Sequence, residues 1–484
     1  MNPGDLRWIV PEIMVAALAV ALIVADVFLP REHKRLVGVF ALIGLIPAAL
    51  ASGLLLHNLR EAGLDGVRIF ADTYTVDPFA IYFKLIALIA TALVILVGMD
   101  YFPKRTAFVA ETHVMLVFTC LGLMLMAGAS DLIMILLSIE FVSLASYLLV
   151  GYLKGDPKSN EAGVKYFLYG AAATGVMFYG FSLLYGLTGS MSLYHIAERL
   201  GDAGPLAYAA VAMALAGFGF KISMVPFHQW TPDVYEGAPT PITAYLSVGA
   251  KAAGFAVLVR TLDVAVPTAV IDWKMLIAVL AALSMTIGNL LALSQRNVKR
   301  MLAYSSISHA GFLLIAVAAW ESMWAQPALL IYLLAYLFTN LGAFFVAMVA
   351  SEATGSEDIP DHAGLSQRAP WVAFAMAVFM LSLTGIPPTA GFLGKFYLFS
   401  AALDAGLLWL AVVGVVNSVI SVYYYLGVVR AMYLMPPTVT TPVAETPGLR
   451  AGLAVAFVGT LVVGLYPQPF LLAIESVRRL LAGT

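Results

Sequence analysis

Ionisable side chains are scarce in this chain of 484 residues: Asp, Glu, Lys and Arg together make up only 11% of it. Soluble globular domains carry about 25%, so the scarcity excludes a water-soluble fold. The formal net charge of −2 offers no electrostatic footprint for nucleic acid. Cysteine is scarcer still. Cys120 stands alone within an apolar run, which excludes a disulfide framework and a four-thiolate iron–sulfur site inside the chain. It reads as a small buried hydrophobe. A phosphate loop is missing too, since Gly394-Lys395 has Thr389 where such a loop needs its first glycine and Phe396 where it needs Ser or Thr. No polar stretch is long enough to fold as a soluble domain between the apolar runs.

What the chain has instead is apolar sequence, with 62% hydrophobic residues and a mean hydropathy of +0.93. The expected fold class is an all-α integral membrane protein, because a helix satisfies its own backbone hydrogen bonds in lipid. A crossing needs about 20 apolar residues. Fourteen runs qualify, at 8–29, 36–56, 79–99, 108–128, 131–151, 162–187, 204–230, 239–260, 274–294, 301–319, 326–350, 370–400, 405–430 and 451–472. The start, Met1-Asn2-Pro3-Gly4-Asp5-Leu6-Arg7, leads into the first run without a small-residue cleavage site, so an uncleaved first helix is expected. Two apolar stretches are too long for one straight crossing and contain proline: 205–232, with 28 residues, and 370–403, with 34. Both are expected to be broken helices.

Lys and Arg outside the runs set the orientation. Fourteen lie in loops after odd-numbered runs, eight lie on the other side, and four lie within runs. The odd loops are therefore expected in the cytoplasm and both termini on the periplasmic side of a bacterial inner membrane. The seventh and twelfth runs are an odd number of crossings apart, so five-helix units built around them point in opposite directions. Spans four to eight and nine to thirteen are thus an expected inverted repeat. Tyr166-Phe167-Leu168-Tyr169 in the sixth run weakly matches Tyr332-Leu333-Leu334-Ala335-Tyr336 in the eleventh. The resulting division is 1–107 for helices one to three, 108–260 and 261–432 for the repeats, and 433–484 for helix fourteen.

Glu140, Lys221, Lys251 and Lys395 lie deep inside apolar runs. An ionisable residue at mid-membrane costs roughly 2.5–3.5 kcal/mol on insertion scales, so these four are candidates for a charge pathway. Glu140 is the tenth residue of its run, with Ser138, Ser143 and Ser146 on nearby turns. Lys221 is followed one turn later by Pro226, which removes a backbone hydrogen bond and opens the helix. A static Glu140–Lys221 ion pair fixing helix register is the structural alternative. Lys251 follows Pro239-Thr240-Pro241 by about three turns and is surrounded by small residues. Lys395 follows Gly385-Ile386-Pro387-Pro388-Thr389-Ala390-Gly391, which cannot stay helical, and is expected as the counterpart of Lys221 in the second unit. His228 and His309 are candidate neutral relays, or else packing residues. Near the ends of runs, Lys84 is expected to snorkel, Asp131 and Glu111 to be solvated, and Trp230 to mark an interfacial helix exit.

Three stretches resemble one family. They are Val225-Pro226-Phe227-His228-Gln229-Trp230-Thr231-Pro232-Asp233-Val234-Tyr235-Glu236-Gly237-Ala238-Pro239-Thr240-Pro241 with Lys251 beyond it, Arg300-Met301-Leu302-Ala303-Tyr304-Ser305-Ser306-Ile307-Ser308-His309-Ala310-Gly311, and Gly385-Ile386-Pro387-Pro388-Thr389-Ala390-Gly391-Phe392. They resemble the proton-pumping antiporter-like subunits of respiratory complex I and their relatives in multisubunit sodium/proton antiporters. Within that family the chain looks most like the subunit N branch of bacterial NADH-quinone oxidoreductase, because Lys395 stands where the subunit M pattern has Glu and no long lateral helix like that of subunit L follows the fourteenth span.

The resemblance implies proton translocation in which Glu140 and Lys221 couple, Lys251 bridges the halves and Lys395 serves the second half. It also implies that FMN, iron–sulfur clusters and quinone belong to partner membrane and peripheral subunits, with no cofactor or metal in this chain and the lipid bilayer as its surroundings. A cation/proton antiporter subunit, or a scaffold whose buried charges only assemble it, would share the same charged residues.

Overall fold

The computed structural model describes every residue except 1–2, 202–203, 267, 269–270, 438, 440–441 and 482–484. The extreme ends used for the terminus assignment therefore lie outside the described residues, as do the side chains of Arg31, Arg478 and Arg479 from the loop tally. Among the described residues, thirteen helices are long and apolar enough to cross a membrane. The fourteenth crossing is the stretch expected to break. It consists of two shorter helices, Pro370–Thr384 and Ala390–Asp404. The fold is an all-α integral membrane protein, with one small antiparallel hairpin, Val67–Ile69 against Tyr74–Val76, between the second and third spans.

The seventh span is broken as well, into Pro205–Ile222 and Trp230–Gly237. Each break closes its first half-helix with a left-handed residue, Ser223 at φ 64° and Gly385 at φ 91°, which turns the chain away from the last carbonyls. The backbone groups released there find side chains. Ser284 accepts from Val225 N at 3.0 Å, Trp230 Nε1 donates to Phe220 O at 3.0 Å, and Ser382 Oγ accepts from Gly391 N at 3.1 Å. Non-helical backbone is tolerated at this depth because protein groups replace the absent water. Trp230 is buried and stacks on Tyr166 with ring centroids 4.5 Å apart. The expected interfacial position is thus overturned: the aromatic ring seals the break and a second half-helix follows it.

Three spans form the centre: Thr240–Ala265, Val298–Ala318 and Ala325–Thr354 are buried along nearly their whole length. The first two spans and the sixth, thirteenth and fourteenth lie outside them, with residues such as Val20, Val27, Ile43 and Leu54 exposed. In lipid that exposure carries no hydrophobic penalty, so close packing decides which helices sit inside. Gly391 shows how close they come, since a Cβ there would lie 1.8 Å from Ser382 O. The central eighth span is also irregular, with π-helical turns at Leu246–Ala250 and Thr261–Ala265 on either side of Lys251–Arg260. Such turns are frequent at functional sites.

Two side chains expected at the surface are buried. Arg260, counted with the periplasmic loops, makes a two-pronged ion pair with Asp77 at 2.8 and 3.0 Å, while Asp77 also caps the third span. Asp131 caps the fifth span by accepting from Ile133 N at 2.9 Å. Short polar side chains at span ends satisfy orphan helix N–H groups, a demand that counting charges does not register.

At the opposite end, Glu357 binds the loop after the eleventh span to two others. Its carboxylate accepts from Lys299 Nζ at 2.9 Å and Asn297 Nδ2 at 3.0 Å, and Lys299 also reaches Ala238 O at 3.0 Å. Burial pushes the Glu357 carboxyl up, but Lys299 and the hydrogen bonds outweigh it and hold the group below its ordinary value. A carboxyl lowered by folding stabilises the protein above its unfolded value, about 4.3, and loses that contribution as pH falls through the lower folded value. Glu357→Gln is therefore expected to melt earlier than the parent at pH 7, with the difference in thermal midpoint closing as the pH is taken below about 4.3.

Candidate functional site

Lys221 occupies the last turn of the first half of the broken seventh span, where the negative end of the helix dipole favours a cation. Its side chain is buried and its Nζ donates to Ser143 Oγ at 3.1 Å. Ser143 lies one turn beyond Glu140 on Leu132–Val150. Glu140 is half-buried, acts on Lys221 through its charge, and has one carboxylate oxygen without a hydrogen-bond partner. The two do not form a direct ion pair among the described contacts, so the static-pair alternative is not what the geometry shows. Lys221 donates to the helix of Glu140 through Ser143 instead.

Lys251 comes next. Gly254, one turn beyond it on the central span, lets that helix lie against Lys221: a Cβ there would be 3.3 Å from Lys221 Cγ. The Lys251 amine is buried and donates to Ser306 O at 2.6 Å and Ser306 Oγ at 2.5 Å on Val298–Ala318. One turn further on that helix is His309, whose Nδ1 meets Tyr332 OH at 2.6 Å and whose Nε2 meets Tyr425 OH at 3.0 Å. Tyr425 also contacts Ser305 Oγ at 2.5 Å. These tyrosines and serines were not singled out from sequence as site residues. Their signal was present, since Ser305, Ser306 and His309 fall on neighbouring turns of one helix, but Tyr332 and Tyr425 arrive from two other spans.

Lys395 follows the second break and is also buried. Its Nζ donates at 2.9 Å to the carbonyl of Thr384, the last residue of the half-helix before the break, and lies 4.4 Å from the centre of the Phe312 ring. Gly385 makes room for it, since a Cβ there would meet Lys395 Cδ at 2.8 Å. Lys221 precedes its break and Lys395 follows its own. His228 lies within the first break, half-buried, with Nδ1 unpartnered. It makes no described hydrogen bond to any of the three lysines.

A family model described as "NADH:quinone oxidoreductase/Mrp antiporter, TM" matches residues 129–421. The chain belongs to this family. The match spans both broken helices and includes Glu140, Lys221, Lys251 and Lys395. Curated relatives agree over nearly the whole length: the chain is 43% identical to NADH-quinone oxidoreductase subunit N of Trichlorobacter lovleyi, covering 96% of each, and 42% identical to NADH-quinone oxidoreductase subunit N 2 of Chloroherpeton thalassium, covering 97% of this chain and 94% of that one. Among solved structures it is similar to a chain of respiratory complex I from Thermus thermophilus, with TM-score 0.82, 34% identity and coverage of 96% of this chain and 99% of that one. A chain of the Mrp complex from Dietzia sp. shares the fold, with TM-score 0.84 at 20% identity over 99% of this chain and 98% of that one.

One further buried charge in this family member was misread from sequence. Lys84 does not snorkel. It is fully buried and forms an ion pair at 2.6 Å with Glu12 of the first span, whose carboxylate also accepts from Tyr74 OH at 2.7 Å. Glu12 lies only three residues into the helix Val10–Phe28, so its depth gave no warning; the hairpin carrying Tyr74 is what covers it. Removing one member of a buried pair strands the other and costs about 3–5 kcal/mol. Lys84→Met is therefore expected to lower stability by about that amount in thermal unfolding, and Glu12→Gln added to it should restore most of the loss. A snorkelling lysine would produce almost no change.

Proposed function

We propose that this chain is a proton-translocating membrane subunit of an NADH-quinone oxidoreductase, moving protons through Glu140, Lys221, Lys251 and Lys395. The observation that carries the proposal is the set of three buried amines held by neutral oxygens, from Ser143, Ser306 and the Thr384 carbonyl, with no carboxylate in direct contact among the described residues. A structural scaffold would pair such charges, as Lys84 is paired with Glu12. An amine without a counter-ion responds instead by several kcal/mol to a moving charge nearby, which is what coupled uptake and release of a proton requires. Glu140, close enough to act on Lys221 through its charge, is placed to act as that moving charge.

Access from one side is supported by a polar cavity of about 580 Å³ at the start of the central span, lined by Tyr101, Glu236, Thr240, Lys299, Glu352 and Glu357 among others. In the proposed orientation this is the cytoplasmic side, with both termini periplasmic in a bacterial inner membrane. The two working halves are residues 108–260 and 261–432, flanked by 1–107 and 433–484. Redox chemistry is assigned to partner subunits carrying FMN, iron–sulfur clusters and quinone. The single thiol of this chain, Cys120, is buried and does not fit a cluster site. Its contribution to the enzyme is translocation.

The test uses the assembled complex in proteoliposomes. Lys251→Ala is expected to leave assembly intact while lowering NADH-driven proton uptake about tenfold or more, as loss of a proton-transfer group does. Unchanged pumping would overturn the role of Lys251. A purified complex that exchanges sodium for protons without reducing quinone would replace the proposal with the antiporter reading.

A further inference from the structure

Basic side chains at the cytoplasmic end, in the proposed orientation, are mostly matched with carboxylates. Lys165 and Arg300 share Asp233 at 2.7 Å each, Arg105 and Lys104 share Glu352 at 2.8 and 3.0 Å, and Lys299 binds Glu357 at 2.9 Å. Arg296 and Arg430 are different. Both are exposed, and neither makes an ion pair or a side-chain hydrogen bond among the described residues. They line one groove of about 910 Å³, whose walls are mostly apolar side chains of the thirteenth span, Leu408–Leu434, joined by Leu293, Ile359 and Pro360. Arg430 lies one turn from the end of that span and Arg296 in the loop after the ninth, so both charges sit at the cytoplasmic mouth.

The dimensions of the groove restrict what can fill it. Its residues on the thirteenth span run from Val419 to Leu434, which is about 22 Å of helix. One leaflet has that depth, since a bilayer with its headgroups is about 40–45 Å thick. A transmembrane helix of a partner would need a trough through both leaflets. A soluble anion would use the arginines and leave the apolar wall bare.

The groove is also built in advance. Ile359 N donates to Arg296 O and Val298 N to Glu357 O, both at 2.8 Å, which ties together the two loops at the mouth. Deeper in, Tyr424 OH donates to Asn289 Oδ1 at 2.7 Å and Asn289 Nδ2 to Asn417 O at 3.0 Å, locking the thirteenth span to the ninth. Gly427 lies between these levels, and a Cβ there would meet no atom within 4 Å. Glycine weakens a helix interior, and no neighbouring helix requires it at this position. Its effect is to deepen the groove.

We propose that this groove holds one anionic phospholipid of the cytoplasmic leaflet, with its phosphate on Arg296 and Arg430 and an acyl chain along Val419, Val422 and Gly427. A guanidinium offers paired N–H donors that match phosphate oxygens, and basic pockets between spans on the cytoplasmic side recognise anionic headgroups. Tyr433, half a turn from Arg430, adds an aromatic ring at headgroup level. The bound lipid joins the loops after the ninth and eleventh spans to the end of the thirteenth, and the proposal is independent of how protons move.

The test uses the purified complex that contains this chain, in phosphatidylcholine vesicles doped with an equal small fraction of phosphatidylglycerol or phosphatidylcholine bearing a diazirine on one acyl chain. After photolysis, mass spectrometry measures label on the peptide spanning residues 419–434. Phosphatidylglycerol is expected to label it about tenfold more than phosphatidylcholine, the preference that two basic side chains at a membrane surface confer. Arg296→Gln combined with Arg430→Gln should bring the two probes level. Arg296→Lys combined with Arg430→Lys should keep a several-fold preference, which a collapsed groove would lose. Equal labelling by both probes in the parent complex overturns the proposal, because the groove then holds only bulk lipid. Absence of labelling by either overturns it too, because a partner subunit then covers the groove, and so does a preference that survives the double glutamine variant.

Discussion

Inside a bilayer no water stands ready to complete a hydrogen bond, and the rest of this structure depends on that constraint. Every carbonyl freed at a helix break and every ammonium placed at mid-depth must find a partner within the protein. The two broken spans create such carbonyls and meet them differently: Lys395 donates to Thr384 O, whereas at the first break Trp230 Nε1 donates to Phe220 O and Met224 N to Gly219 O. At the second break, carbonyl and amine are complementary solutions to one problem. A continuous helix there would offer no free carbonyl for the ammonium, and an apolar side chain in its place would leave the Thr384 carbonyl without that donor.

The same constraint divides the buried charges into two kinds. Lys84 with Glu12, and Arg260 with Asp77, are direct pairs at 2.6–3.0 Å that join the first three spans and the hairpin to the body of the molecule. Both partners of each are closed off from solvent, so each pair is static, and breaking either leaves a charge with no alternative. Lys221, Lys251 and Lys395 contact neutral oxygens instead. Their electrostatic balance is left open to whatever changes nearby, and Glu140 is the nearest such charge to Lys221. The proposed route uses the second kind and is framed by the first.

Much of the fold was legible because hydropathy is a local property. The thirteen long apolar helices and the pair Pro370–Thr384 and Ala390–Asp404 each overlap one of the fourteen apolar runs, and both interruptions fall where proline and glycine demand them. The misreadings concern Lys84, Asp131, Trp230 and Arg260, which lie near the ends of runs, where sequence depth does not distinguish a water-facing side chain from one covered by a neighbouring element. The hairpin was missed because three-residue strands carry almost no periodic signal.

Sequence by itself determined that the chain spans a membrane many times, where two crossings break, and that Lys221, Lys251 and Lys395 lie away from water. Composition and run length settle these matters because insertion energy adds up along a single helix. Only the tertiary structure decided what each charge touches. The Ser143 hydroxyl that holds Lys221, the tyrosines on both sides of His309, and the carboxylate that closes over Lys84 come from other spans. Contacts between helices in lipid depend on shape and on which polar groups remain to be satisfied, and a hydropathy pattern records neither.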